Sequence, residues 1–214
     1  MILDIKPLFI AIEGLDGSGT STQSQLLYKY FLDHDEQAHL TSEPSNGVIG
    51  QIIRKVQQKN IIFTDSEKHL DRQLAYLYAA DRFDHLFNQE DAVIKKLNAG
   101  YHVICTRYVF SSLAYNCTSD DDLRVVSGLN KEFPDPDILI FIVNHVDDSM
   151  ERIRKRETIE IYENQERLQR VRENYFKAID NYHGEVIYVD GQNSIQQIHL
   201  DIIENIEKIR NEES

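Results

Sequence analysis

The sequence predicts an α/β fold: a central parallel sheet of about five strands, flanked by helices in a three-layer arrangement. Three observations lead there. Short apolar, β-branched runs alternate with longer helical patterns along the chain. The first run ends in a glycine-rich turn that opens an amphipathic helix. No repeat, low-complexity tract or linker breaks the alternation, so residues 1–214 read as one domain.

Taken in order, residues 8–12 (Leu-Phe-Ile-Ala-Ile) form an unbroken apolar run, as a strand buried on both faces requires. Residues 21–33 follow as a helix, with Leu26, Leu27, Tyr30 and Phe31 forming its apolar side. A short strand near 38–41 leads to helical patterns at 48–59 and 67–88, the second carrying a Leu74, Leu77, Tyr78 stripe. After a helix at 92–98 come the strand 102–105 and a helix at 120–130. The run Ile138-Leu139-Ile140-Phe141-Ile142-Val143 reads as a strand. Helices at 146–156 and 164–182, a strand at 186–189 and a helix at 195–210 complete the series.

Composition narrows the function classes. The formal net charge is −13, which argues against a nucleic-acid backbone or an anionic membrane as partner. No apolar run approaches a bilayer span, and residues 1–7 lack a signal-peptide core, so a cytoplasmic location is expected. Cys105 and Cys117 have no metal-ligand spacing and read as free thiols. The cations that exist are clustered: Arg152, Arg154, Lys155 and Arg156, then Arg167, Arg170 and Arg172. Such a cluster is either a solvated helix face or a phosphate-binding one, and both readings stand.

The turn Gly14-Leu15-Asp16-Gly17-Ser18-Gly19-Thr20-Ser21-Thr22 has the layout G-x-x-x-x-G-K-[ST] with Thr20 in the lysine's place. Its glycines permit a backbone whose N–H groups converge on phosphate oxygens, and the helix N-terminus adds partial positive charge. The Ser21 hydroxyl stands where Mg²⁺ is held in such loops. The ammonium that follows charge onto a transferring phosphoryl group is missing. In an open parallel sheet, ligands bind beyond the carboxyl ends of the strands. There the sequence puts this loop, then Ser42-Glu43-Pro44, then Thr106-Arg107-Tyr108, then Asn144-His145 and Asp190-Gly191-Gln192.

Four segments in order resemble the thymidylate kinases, a family of P-loop nucleoside-monophosphate kinases. They are Glu13 to Gly19; Glu43-Pro44 with Ile49-Gly50; Leu77-Tyr78-Ala79-Ala80-Asp81-Arg82; and Arg107 to Tyr115. The resemblance implies the P-loop NTPase fold, a lid segment at about 151–165, and a homodimer. It implies Mg²⁺-dependent phosphoryl transfer from ATP to dTMP, in nucleotide biosynthesis. Arg107 matches the arginine that grips the acceptor phosphate, Arg82 the one that reads the thymine edge, and Tyr78 the aromatic that stacks on the base. Ordinary core packing is the competing reading for Tyr78. Asp16 matches an acid near the sugar hydroxyl or the metal's water. Glu43 matches a residue packed under the acceptor. Ser111, Ser112, Tyr115 and Asn116 match the segment that closes on the deoxynucleoside. Arg154 and Arg156 match the position from which the lid supplies a catalytic cation.

The chain departs from the family pattern at Thr20, at Thr106 (an aspartate in the family motif) and at Ser42 (often an arginine). The first two losses are opposite in charge, which suggests that they are coupled. Two alternatives stay open on the sequence alone. One is a catalytically weakened nucleotide-binding homologue; the other is a kinase of a modified pyrimidine monophosphate.

Overall fold

The computed structural model describes residues 6–154 and 165–212. Five strands form one parallel sheet: β1 (Phe9–Gly14), β2 (Ala38–Ser42), β3 (His102–Thr106), β4 (Ile138–Val143) and β5 (Glu185–Asp190), in the order β2-β3-β1-β4-β5. The helices are α1 (Thr20–Asp33), α2 (Val48–Gln57), α3 (Glu67–Phe87), α4 (Val93–Asn98), α5 (Val109–Tyr115), α6 (Asp120–Asn130), α7 (Val146–Arg154), α8 (Gln165–Asp180) and α9 (Ile195–Glu212). Each strand and helix expected from the sequence has a counterpart here; residues 155–164, which include Arg156 and most of the segment expected as a lid, lie outside the described residues.

Strand alternation divides the core in two. Ile10, Ile12, Ile138, Ile140 and Ile142 face one side and pack with Leu27 and Phe31 of α1 and with Ile198, Ile202 and Ile206 of α9. Phe9, Ala11, Leu139 and Phe141 face the other side, with Leu74 of α3, Ala114 of α5 and Leu168, Val171 and Tyr175 of α8. The sheet is therefore covered on both faces, which explains its near-continuous apolar strands. β1 lies centrally, between β3 and β4, so its exit is the switch point where ligands of such sheets bind.

Helix ends follow local chemistry where they can. Ser66 caps α3 by accepting from His69 N, and Ser119 caps α6 by accepting from Asp122 N. Helix α5 is the element that the sequence pattern does not announce. It has seven residues, too few to show a helical period, and its cap comes from far away in the chain. Glu13 Oε1, at the end of β1, accepts from the N–H groups of Tyr108 (2.7 Å) and Ser111 (3.1 Å). A buried carboxylate thus satisfies two donors at the helix N-terminus and complements its dipole.

Candidate active site

The phosphate loop crosses from β1 to α1 through Gly17 and Gly19, whose φ angles of 81° and 99° are left-handed and favour glycine. Ser18 N donates to Leu15 O and Gln23 N to Gly19 O. The N–H groups of Thr20, Ser21 and Thr22 have no acceptor among the described residues, as expected of a helix's first turn. The buried Ser18 hydroxyl also has no partner among the described residues. An open cavity lies over this loop, lined by Asp16 to Gln23, by Arg107, by Arg152 from α7 and by Gly191. Arg152 spans its rim, with Nη2 donating to Gly191 O (3.0 Å) and Nη1 to Gly17 O (3.3 Å). These features fit a polyphosphate: unspent amides, a helix N-terminus and a nearby guanidinium. Ser21, the hydroxyl expected near Mg²⁺ from the motif, lines this cavity in the first turn of α1. No cluster of three or more acidic, His or Cys side chains for a metal exists among the described residues, so the remaining ligands would be phosphate oxygens and water.

A second cleft adjoins it. Its walls bring together Asp16, Glu43, Tyr78, Arg82, Arg107, Ser111, Ser112 and Tyr115, with Gln57, Tyr108 and Asn116. Arg107 and Asp16 belong to both hollows.

Arg107 follows β3 with φ 66°, an uncommon conformation for a residue with a side chain and one that costs about 1–3 kcal/mol. The cost is met by contacts: Nη1 donates to Gly14 O (2.9 Å), Tyr175 Oη (3.0 Å) and Ser111 Oγ (3.3 Å), and Nη2 to Asp16 Oδ1 (2.7 Å). Its Cζ lies 5.3 Å from the centre of the Tyr115 ring. Burial alone would lower its pKa, yet the surrounding Tyr115, Asp16, Tyr175 and Glu13 raise it well above the ordinary value. The Tyr115 hydroxyl donates to Asp16 Oδ2 (3.0 Å) and accepts from Asp16 N (3.1 Å), so the loop acid is held at both ends.

Arg82 lines the cleft from a buried position. It is fully buried, and Nε and Nη2 donate to Glu43 Oε2 at 2.9 and 2.5 Å. Nη1 donates to Asn130 Oδ1 and Nη2 to Ser112 Oγ (3.1 Å). These bonds leave one Nη1 proton for anything in the cleft. Glu43 also meets His85 Nδ1 at 3.2 Å. Tyr78 Oη accepts from Gln57 Nε2 (2.9 Å), which leaves the ring as the wall it offers. Asn116 is buried and lines the same cleft; neither its amide oxygen nor its nitrogen has a partner among the described residues.

Among the predicted residues, Leu15 and Arg154 do not line either hollow. Leu15 turns into the core, 1% exposed, so only its backbone serves the loop. Arg154 is exposed at the end of α7 and lines neither hollow. Within the basic cluster, Arg167 is occupied by a buried ion pair with Asp71 at 2.5 Å. Three residues gain weight that the sequence reading did not give them. Arg152 was one undistinguished member of the cluster. Glu13 lay inside the motif without a role, and the Tyr175 side chain, 0% exposed, looks in sequence like any core aromatic.

Comparison with known proteins agrees with this geometry. The family model "Thymidylate kinase" matches residues 12–202. The "Probable thymidylate kinase" of Pyrococcus horikoshii is 36% identical over 93% of this chain and 95% of that protein. That of Thermococcus kodakarensis is 36% identical over 96% of this chain and 100% of that protein, and that of Methanococcus aeolicus 33% identical over 92% and 95%. The chain belongs to the thymidylate kinase family.

Proposed function

We propose that the protein transfers the γ-phosphoryl group of ATP to dTMP, giving dTDP and ADP. One observation carries the reading: the Arg107 guanidinium is a common wall of the phosphate-loop cavity and the tyrosine-lined cleft. A cation there faces the acceptor phosphate from one side and the transferring group from the other. The acceptor phosphate oxygen attacks the γ-phosphorus in line, and the bond to the β–γ bridging oxygen breaks as ADP leaves. The acceptor is already an anion near neutral pH, so no side-chain base is required. Positioning and charge neutralisation supply the rate.

In this reading the loop amides and Ser18 hold the donor phosphates, and Ser21 contributes to the Mg²⁺ shell. Mg²⁺, when bound, neutralises charge on the donor's phosphate oxygens. Arg152 brings a second cation to the loop's rim, where the missing lysine leaves a deficit. Removing one such donor costs on the order of 10²–10³ in rate, against a total acceleration worth at least ~8 kcal/mol, so transfer survives the loss. Tyr78 stacks on the base, and the unpartnered Asn116 amide with the last Nη1 proton of Arg82 reads its edge. Tyr115 flanks the sugar. We further place the enzyme in the cytoplasm, as a homodimer, with no nucleic-acid or membrane partner. Among the described residues no helix is long and apolar enough to cross a membrane.

Turnover with ATP and Mg²⁺ against a panel of nucleoside monophosphates tests the assignment. The expected result is a preference for dTMP, reduced at least about 10²-fold in Arg107→Ala. Nucleotide binding without turnover of any monophosphate overturns it.

A further inference from the structure

The contacts of Arg107 are distributed unevenly over its fork. Nη1 carries the contacts to Gly14, Ser111 and Tyr175, Nη2 carries one to Asp16, and no described residue accepts from Nε. One nitrogen is therefore an anchor, and the Nε–Nη2 edge is what remains for a bidentate phosphate.

Tyr175 reaches that anchor from α8. Its ring is packed against Phe141 (centroids 5.1 Å apart) and meets Tyr115 edge-on (6.1 Å). Its hydroxyl has one proton, and Glu13 Oε2 takes it across 2.9 Å. The lone pairs left over accept from Arg107 Nη1 at 3.0 Å. The hydroxyl thus stands between a buried carboxylate and a guanidinium, each of which would otherwise seek the other. Glu13 is also held by Ser111 Oγ (2.6 Å) and by two amides of α5, so it cannot move to accommodate a change.

We propose that Tyr175 is a positioning residue for the acceptor phosphate: its hydroxyl spaces Arg107 from Glu13 and keeps the Nε–Nη2 edge turned into the cleft. Without that hydroxyl, the strongest nearby acceptor for Nη1 is the Glu13 carboxylate, and the fork is drawn away from the phosphate. The inference rests on the reading that Arg107 grips the acceptor phosphate.

The test is Tyr175→Phe, which removes the oxygen and keeps the ring, with Arg107→Ala in parallel. The Kd of dTMP and the inhibition constant of thymidine, the same ligand without its phosphate, are measured for each, together with the KM of ATP. Tyr175→Phe is expected to weaken dTMP about tenfold, the worth of one hydrogen bond to a charged group, with thymidine and ATP changed less than about twofold. Equal weakening of dTMP and thymidine indicates a merely structural hydroxyl and overturns the proposal, as does no weakening of dTMP. If Arg107→Ala selectively weakens dTMP and Tyr175→Phe does not, the proposal alone falls. If Arg107→Ala is not selective for the phosphate-bearing ligand, the grip itself is wrong and the proposal falls with it.

Discussion

Arg107 Nη2 donates to Asp16 Oδ1 across 2.7 Å, an ion pair that ties the residue after β3 to the phosphate loop after β1. The pair joins the two hollows of the site, so the loop cannot shift without moving the arginine. Asp16→Asn keeps the shape and removes the charge. A charge-assisted hydrogen bond is worth about 1.5–3 kcal/mol, and kcat/KM for dTMP is expected to fall roughly tenfold to a hundredfold. Steady-state kinetics check this; an unchanged kcat/KM shows that Tyr115 alone suffices to hold the loop.

Arg82 and Glu43 form a second pair of a different kind. Both side chains are 1% exposed, at 2.5 Å, with Asn130, Ser112 and His85 completing the shell. Truncating one partner of such a pair leaves an uncompensated buried charge, at a cost of about 3–5 kcal/mol. Glu43→Ala is therefore expected to lower the urea midpoint by that much stability, with the slope unchanged. A loss under about 1 kcal/mol would mean that the guanidinium finds another acceptor.

The sheet was legible because strands covered on both faces are apolar end to end, as in Ile138–Val143. The phosphate loop was legible from motif spacing, and most of the cleft from the resemblance that four segments carry to the thymidylate kinases. What the sequence concealed depends on contacts across long separations. The cap of α5 is Glu13, and the anchor of Arg107 is Tyr175 on α8. No local pattern marks a carboxylate that serves a helix beginning some 95 positions later. Arg82 reads in sequence as a base-contacting cation, yet its partners Glu43 and Asn130 come from other elements and occupy most of its protons. Arg152 and Arg154 lie two apart on one helix and look alike as letters; the turn of α7 separates one over the loop from one in solvent.

The two replaced positions are physically linked. Thr106 Oγ1 donates to Ser24 Oγ (2.7 Å), and Ser24 Oγ donates to Thr20 O (2.9 Å). A neutral hydroxyl chain thus links the end of β3, where the family motif has an aspartate, to the backbone of the position where the loop motif has a lysine. Thr106→Asp alone introduces an anion with no cation to meet it, and Thr20→Lys alone a cation with no anion. Each single variant is expected to be no faster than the parent, and the double variant faster than their sum predicts. A coupling of at least about 1 kcal/mol in kcat is the expected result of the double-mutant cycle. Strict additivity removes the idea that the two losses compensate.

Burial raises the pKa of Glu13 above its ordinary 4.5, against the lowering effect of Arg107 and the hydrogen bonds from Ser111, Tyr108 and Tyr175. In the window between the unfolded and folded values the native state holds a proton that the unfolded chain has lost. Stability contributed by this group is therefore present below about pH 4.5 and is lost as pH rises through the folded value. Asp71 and Asp81 are raised by burial as well and act in the same direction. Glu13→Gln isolates the first of the three. Urea unfolding across this range is expected to show the difference in stability, parent minus variant, falling as pH increases; a flat difference shows that Glu13 is not displaced from its ordinary pKa.

The exposed face of α3 carries Tyr76, Phe83 and Phe87, with 54%, 62% and 46% of their surfaces accessible. Their spacing of seven and four residues puts them on one stripe, and the Phe83 and Phe87 rings already meet at a tilt, with centroids 5.2 Å apart. Other positions of the same helix are buried, among them Asp81 and the cleft residue Arg82. A stripe of aromatics left exposed among the described residues suits an isologous contact with a second copy, in which each residue occurs twice. Phe83→Glu then introduces two like charges into one interface, so the substitution is expected to shift a dimer to monomer in sedimentation at micromolar concentration. The fold itself should be untouched, because the side chain contributes nothing to the core, and the melting curve of the isolated chain tests that. A parent that sediments as a monomer at the same concentration rules out the stripe as a dimer surface.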